Sequence, residues 1–398
     1  MVKENIILNR PERFAKPHVI SREKLIKAAE AACDKLEENT KKYGIAFPDT
    51  RSIEYKYVCG ENRNWEAGMF TGCYWRAWEL TGNKFFKETA EAHLETYKVR
   101  YEKQIGMNDH DVGFVFIPSC IAAYKLTGNE MARDLALKAA EYYYNTSYSK
   151  EGKFIIRLWK GWNEGWGCRT MMDSLMNAPF LFWAGEETGD SKYTEAALAH
   201  VETTAKYLIR EDGSSFHHYQ FDPATAGPVR GLTLQGRSDD SCWGRGHSWG
   251  VFGFPTAYGY TKADFLPKLH RDVTYFMLNK LPSDLIPYWD YDFTEGSLQP
   301  RDSSCGVISA CGMLEMCKYL SDSDEQKSVF ESAAAQMLEA VIDNCTSEPC
   351  VKNYDGLICH VTHALPQGQG IDQCAVYGDY FYLEALSRYL NPDFKNYW

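Results

Sequence analysis

Apolar and polar positions follow two helical schedules that keep returning in the same order along the chain. "YWRAWELTGNKFFKETAEAHLETYKVR" begins at Tyr74, "CIAAYKLTGNEMARDLALKAAEYYYNT" at Cys120 and "FLFWAGEETGDSKYTEAALAHVETTAKYLIRED" at Phe180, with weaker copies from Phe254 and Cys311. Each copy predicts a helix that is small, aromatic and apolar nearly all round, then a short polar turn, then a helix with one charged face. The first kind suits burial on every side, the second a place between core and solvent. A further amphipathic helix follows Ser21 as its cap, and a last apolar and aromatic helix, "GDYFYLEALSRYL", can pair with it to close a ring. Self-similar helix pairs at roughly 45 to 70 residues mean a solenoid or a toroid, and the irregular spacing favours the toroid. The expectation is an all-α chain: one domain over residues 1–398, folded as an (α/α)6 barrel with residues 1–20 as an N-terminal arm.

Two segments fit no helix. Residues 214–234, "SSFHHYQFDPATAGPVRGLTL", predict two short strands around a Pro/Gly turn, with alternation pointing only one of His217 and His218 inward. Residues 282–304 are rich in Pro and aromatics and predict an extended loop. Long irregular loops inside a compact domain are more often functional than accidental.

Composition sharpens this picture in three ways. The 398 residues carry 11 Trp, 26 Tyr and 20 Phe, more aromatic surface than a core needs, and polar-tipped aromatics suit the walls of a binding cleft. A formal charge of −11 argues against nucleic acid or an anionic membrane surface as partner, so any anion site must be locally basic. The N-terminal stretch has no apolar core of signal-peptide length, and the 13 Cys are odd in number and scattered through helical patterns. Free buried thiols in a reducing cytoplasm are the expectation.

The unusual residues gather in the segments that lead into the apolar helices: "ENRNWEAG" (61–68), "GMNDHDVG" (106–113), "WKGWNEGWGCRTMMD" (159–173), "QGRSDDSCWGRGHSWG" (235–250) and "RDSSCG" (301–306). In a toroid these converge on one mouth, while the opposite turns hold bland Thr-Gly-Asn. Aromatic platforms, carboxylates and basic groups together suit a carbohydrate carrying an acidic substituent. Asp111 and Asp173 stand out as a carboxylate pair. Each begins an inner helix beside apolar residues, where desolvation raises a carboxyl pKa toward the range of a general acid. The competing reading is a helix cap. It is weaker for Asp173, because "RTMMDSLMNAP" (169–179) reads as a buried helix that Thr170 can already cap. Asp109, His110 and Asp111 suggest a metal site only faintly; without further ligands at diagnostic spacing they read as hydrogen-bonded loop structure. "CHVTH" (359–363) is a weak fragment of the same kind. No phosphate loop, dinucleotide fingerprint, nucleophile elbow or zincin motif is present.

At "RTMMDSLMNAPFLFWA", "FHHYQFDP" and "QGRSDDSCWGRGHSWG" the chain resembles the unsaturated glucuronyl hydrolases of glycoside hydrolase family 88, from about Trp65 to "YGDYFYLEAL". The resemblance implies an (α/α)6 barrel and a reaction without metal or other cofactor. Its substrate is a Δ4,5-unsaturated uronic acid at the non-reducing end of lyase-generated glycosaminoglycan oligosaccharides, with water as co-substrate. It also implies Asp173 as the acid/base and Asp111 as its partner. Trp65, His217, Gln235, Arg245 and Trp249 match sugar-binding positions, with Arg245 facing the uronate carboxylate and Trp65 and Trp249 flanking the ring. Some members that favour sulfated substrates carry a Ser- and Lys-containing segment before the last helix; here that stretch is "LPQGQGIDQC" (365–374), with neither. Three rivals are an unsaturated rhamnogalacturonyl hydrolase acting on pectin fragments, a two-carboxylate glycosidase of saturated sugars, and a non-catalytic sugar-binding toroid.

Overall fold

Each Thr-Gly-Asn or Thr-Gly-Asp phrase is a machine-like corner. Gly82, Gly128 and Gly189 end the first helix of a pair in the left-handed region, with φ of 69°, 71° and 71°. There a side chain would be strained and glycine is not. The next residue starts the second helix: the side chains of Asn83, Asn129 and Asp190 accept from the backbone N–H of Phe85, Ala132 and Lys192. In the fourth copy Lys262 takes the glycine's place at φ 52°.

The computed structural model describes residues 5–156, 168–346 and 353–398. The inner helices are α2 (Ala67–Thr81), α4 (Val112–Phe116, running through a π turn at Ile117–Ile121 into α5, Ala122–Thr127), α7 (Ala178–Thr188), α9 (Gly244–Thr261), α11 (Ser303–Cys317) and α13 (Val376–Leu390). Their outer partners are α3 (Lys84–Glu102), α6 (Glu130–Ser147), α8 (Ser191–Tyr207), α10 (Phe265–Lys280), α12 (Glu325–Asn344) and, for α13, α1 (Arg22–Tyr43). Helix α13 packs on both α2 and α11, so the last inner helix closes the ring and the first helix of the chain backs it. The fold is the (α/α)6 barrel. Inner helices are buried almost throughout and outer ones on one face, as their patterning requires.

Residues 5–20 lie across α10 and α12: Arg13 donates to the carbonyls of Leu281 and Pro282, and Gln336 donates to the carbonyl of Arg13. No described helix is long and apolar enough to cross a membrane. The described cysteines other than Cys345 and Cys359 are free thiols, and every described cysteine but Cys59 is buried.

The end opposite the mouth is closed by charge. Arg388 on α13 binds Glu315 on α11 (2.7 Å) and Glu384 (2.8 Å), and Arg76 on α2 binds Glu79 (2.9 Å) and lies 3.5 Å from Glu384. The chain end covers them: the Trp398 indole donates to Tyr380 and Glu384, and Arg76 stacks on the Tyr397 ring.

The structure corrects one element. Residues 169–177 are not an α-helix. Cys168–Met171 form a strand (β1) and Met172–Asn177 a 3-10 turn, so α7 begins only at Ala178. Strand β1 pairs antiparallel with β2 (His218–Phe221), which pairs with β3 (Pro228–Leu232); these last two are the expected hairpin. Thr170 lies mid-strand and caps nothing. The backbone of 168–171 takes its hydrogen bonds from a partner about 50 residues away, which no local propensity encodes.

Candidate active site

The register of that sheet places the chemistry. Met171 lies opposite His218, and the Met172 N–H donates to the His217 carbonyl (2.9 Å). Asp173 therefore leaves β1 just where His217 enters β2, and the His217 Nε2 sits 3.7 Å from Asp173 Oδ2. His217 Nδ1 accepts the backbone N–H of Leu234 (3.2 Å) and of Gln235 (3.3 Å). That fixes the ring proton on Nε2, whose hydrogen-bond partner is His218 Nε2 at 3.1 Å, with Asp173 Oδ2 next at 3.7 Å. Contrary to strand alternation, His217 and His218 are both buried, 3.1 Å apart at Nε2. His217 precedes the strand, so the alternation rule does not reach it.

Asp173 occupies the 3-10 turn with its side chain 15 % exposed; Met172, Leu175 and Met176 around it are buried. Asp111 precedes α4 without capping it by its side chain, is 14 % exposed, and lies 3.2 Å from His110 Nε2. On its other nitrogen His110 meets Asp109 at 2.5 Å. Asp109, His110 and Asp111 offer three donor atoms within 4.8 Å of one another, and His110 links them as an imidazole between two carboxylates. Asn177 joins the two helix starts: its Oδ1 accepts the Phe114 N–H (3.0 Å) and its amide donates to the Asp173 carbonyl (3.2 Å). Only glycine fits at 113, where a Cβ would come within 2.5 Å of Asn177 Oδ1.

These groups open on a cleft of about 350 Å³ lined by Trp65, Asp109, His110, Asp111, Met171, Asp173, Leu234, Gln235, Arg245, His363, Ala364, Gln367 and Gln369. Trp65 stacks on Tyr377 (5.6 Å, 14°), giving one flat wall. Gln235 donates to the His363 carbonyl (3.1 Å). Burial, then the charges of Arg245 and Arg51, holds the His363 imidazole far below its usual pKa, so it stands neutral. Of the segment 159–173, residues 159–167 lie outside those described.

Sequence reasoning placed Trp65, Asp111, Asp173, Gln235 and Arg245 on one mouth, and the cleft contains all five. His217 sits just behind Asp173. Trp249 is a correction. It is 0 % exposed, packs on Phe114 (5.3 Å) and Phe381 (5.6 Å), and does not flank the cleft. It lies one helical turn deeper than Arg245 on α9, so the barrel core covers it. His363, Gln367 and Gln369 lie in the two segments "CHVTH" and "LPQGQGIDQC", which were noted but not assigned to the cleft wall. Asp302 and Tyr377, which hold Arg245 from behind, were missed.

Glu66, beside Trp65, is buried, and burial raises its carboxyl to about 8, with Asp111 and Asp49 adding to the rise. Its folded pKa exceeds the 4.5 of a free glutamate side chain. Folding therefore takes up a proton between those pH values, and this stabilisation is lost as pH rises. Glu66→Gln is expected to match the parent near pH 5 and to exceed it increasingly toward pH 8, by at most about 1.4 kcal/mol per pH unit. Thermal midpoints across that range check it; parallel curves would refute the assignment.

An inner ring of helices carrying two carboxylates, a guanidinium and an aromatic wall at one mouth defines a carbohydrate-active α/α barrel. The family model for Glycosyl Hydrolase Family 88 matches residues 36–357, and the chain belongs to that family of glycoside hydrolases. It is 37 % identical to an unsaturated chondroitin disaccharide hydrolase of Streptococcus pyogenes serotype M1, over 98 % of this chain and 97 % of that one. It is 36 % identical to an unsaturated glucuronyl hydrolase of Bacillus sp. strain GL1, over 90 % and 95 %. The structure superposes on crystalline unsaturated glucuronyl hydrolase of Streptococcus agalactiae with a TM-score of 0.94 at 35 % identity, covering 100 % of this chain and 99 % of that one. A mutant of that S. agalactiae enzyme, complexed with dGlcA-GalNAc6S, superposes at 0.88 and 32 % identity, covering 99 % and 98 %.

Proposed function

We propose that this glycoside hydrolase releases the Δ4,5-unsaturated uronic acid from the non-reducing end of lyase-generated glycosaminoglycan oligosaccharides by hydrating the C4=C5 bond. The observation that carries this reading is the convergence of Asp111, Asp173 and Arg245 on one cleft in a family 88 chain. The substrate is a vinyl ether. Asp173 gives its proton to C4, and the positive charge that develops is shared by C5 and the ring oxygen. A water attacks C5 and passes its proton to the Asp173 carboxylate, so one carboxyl serves as acid and then base. The C5 hemiketal opens at the ring oxygen, and the hemiacetal left at C1 expels the remaining sugar. His217, 3.7 Å away, forms the wall beside the Asp173 carboxyl; Asp111, held by His110, tunes and orients it. Arg245 takes the uronate carboxylate and Trp65 the sugar face.

Gln367 and Gln369 stand on the cleft wall where the loop lacks Ser and Lys. Neutral amides offer a sulfate hydrogen bonds but no charge, so we infer a preference for unsulfated substrates. Buried free thiols such as Cys73, Cys120 and Cys311 support a reducing, cytoplasmic setting.

The test follows the ultraviolet absorbance of the conjugated enoate in unsulfated and 6-sulfated chondroitin disaccharides from lyase digestion. Expected are loss of absorbance with both and a higher kcat/KM for the unsulfated sugar, by about tenfold, the value of one missing charge-assisted contact. Cleavage of a saturated glucuronide with the enoate untouched would overturn the hydration reading.

A further inference from the structure

Arg245 is held from behind more tightly than a ligand-binding side chain requires. One terminal amino group donates to Asp302 Oδ2 (3.0 Å) and to the Thr362 carbonyl (2.9 Å), and the other donates to the His363 carbonyl (2.6 Å). Three of the five donors of a guanidinium are used in this way, leaving Nε–H and one terminal hydrogen. The plate is sandwiched between the rings of Trp243 (4.6 Å) and Tyr377 (4.5 Å), and only 1 % of the residue is exposed although it forms part of the cleft wall.

Asp302 does not touch the cleft. It is 0 % exposed, at the end of the 282–304 loop, and its Oδ1 caps α11 by accepting from the Ser304 N–H (3.2 Å) and hydroxyl (2.5 Å). A cap needs no charge, since asparagine or serine serves as well. A fully buried carboxylate is costly unless paired, and its charged partner is Arg245 on the other oxygen. The cap accounts for Oδ1, and Arg245 accounts for the charge.

We propose that Asp302 is a positioning residue for the reaction: it fixes the pose of Arg245 and offsets its charge where that guanidinium meets the substrate carboxylate. This rests on the reading of the cleft as a uronate site. Two consequences follow. Without the anchor, the guanidinium loses the orientation that leaves its two unused donors for the ligand. Without the offsetting charge, Arg245 acts undiluted on the other groups around it. Those facing Arg245 are Tyr377, Cys305 and Asp173, with the neutral His363 alongside. Across the cleft stand Asp109, His110 and Asp111, and His217 adjoins Asp173. An unopposed positive charge stabilises the carboxylate of Asp173, which then gives up its proton at lower pH.

The experiment compares Asp302→Asn, Asp302→Ala and Ser304→Ala in the full chain, by kcat, KM, pH profile and thermal midpoint, on unsulfated chondroitin enoate disaccharide. Asp302→Asn keeps a neutral acceptor; its alkaline limb of kcat/KM is expected to move about half a unit to lower pH, the size of one charge acting across a partly screened interior. Asp302→Ala removes the anchor as well; the same shift is expected together with a KM raised about tenfold, the loss of one well-placed ionic contact. Ser304→Ala weakens only the cap, and a lower thermal midpoint with unchanged KM and pH profile is expected. Either folded Asp302 variant decides the matter: a pH profile superimposable on the parent's, with KM unchanged, overturns the proposal and leaves Asp302 a helix cap. If the parent itself leaves the enoate intact, the functional reading fails first, which the parent control shows separately.

Discussion

Asp173→Asn is expected to lower turnover of the enoate disaccharide by about 10²–10⁴-fold, the usual contribution of a positioned acid–base group. Asparagine has the same shape and can remain in the 3-10 turn Met172–Asn177, where the Asp173 carbonyl, not its side chain, takes the Asn177 hydrogen bond. The side chain does not cap the turn and lines the cleft, and asparagine keeps its size and an acceptor oxygen there. The thermal midpoint should therefore hold while kcat falls, with KM changed far less. The amide can neither protonate C4 nor take a proton from water, so both halves of the hydration stop. A variant that kept a tenth of parental turnover would remove Asp173 from the acid–base role. One that lost its fold would show the carboxylate to be structural.

The second large effect belongs to the opposite end of the barrel. Arg388→Met removes the cation shared by Glu315 and Glu384, both buried, and is expected to destabilise the chain by about 3–5 kcal/mol, the cost of orphaning a buried ionic partner. The pH dependence carries the signature. In the parent, burial pushes the Glu315 carboxyl up, but the Arg388 and Lys318 charges outweigh it and bring it down to about 2. A folded pKa below the unfolded one gives stability that is present above about 4.5 and lost as pH falls toward 2. Without Arg388 burial gains on the remaining cations, and the carboxyls take up protons more readily as pH falls. The deficit should thus narrow between pH 7.5 and pH 5. Denaturant midpoints at those two values check it, and a deficit that is small or independent of pH would refute the network's role. Turnover per folded molecule should be unaffected, because the network is at the far end from the cleft.

The contrast between these two ends was largely legible in the chain. Thr-Gly-Asn at residues 81–83 and 127–129 marked plain corners, because a left-handed glycine and an amide cap are local chemistry that needs no partner. Trp65, Asp111 and Arg245 were legible as mouth residues because each precedes or begins an apolar helix, and in a ring all such starts face one way. Trp249 was misplaced by the same reasoning. Order along the chain says which end of a helix a residue is near, while depth in the cleft depends on how far the neighbouring helices rise around it.

What the sequence determined alone was the periodicity: buried helix, corner, amphipathic helix, repeated until the ends meet. It also placed Asp111 at the start of an inner helix and Asp173 in the segment that leads into one. Periodicity suffices there because each helix satisfies its own backbone and declares its buried face in its own residues. Only the tertiary structure decided that 168–171 is a strand, that His217 stands beside Asp173, and that Asp302 grips Arg245 from 57 residues away. Those contacts join segments far apart in the chain. Each is selected by the hydrogen bonds and charges its partner supplies, and neither segment carries a record of the other.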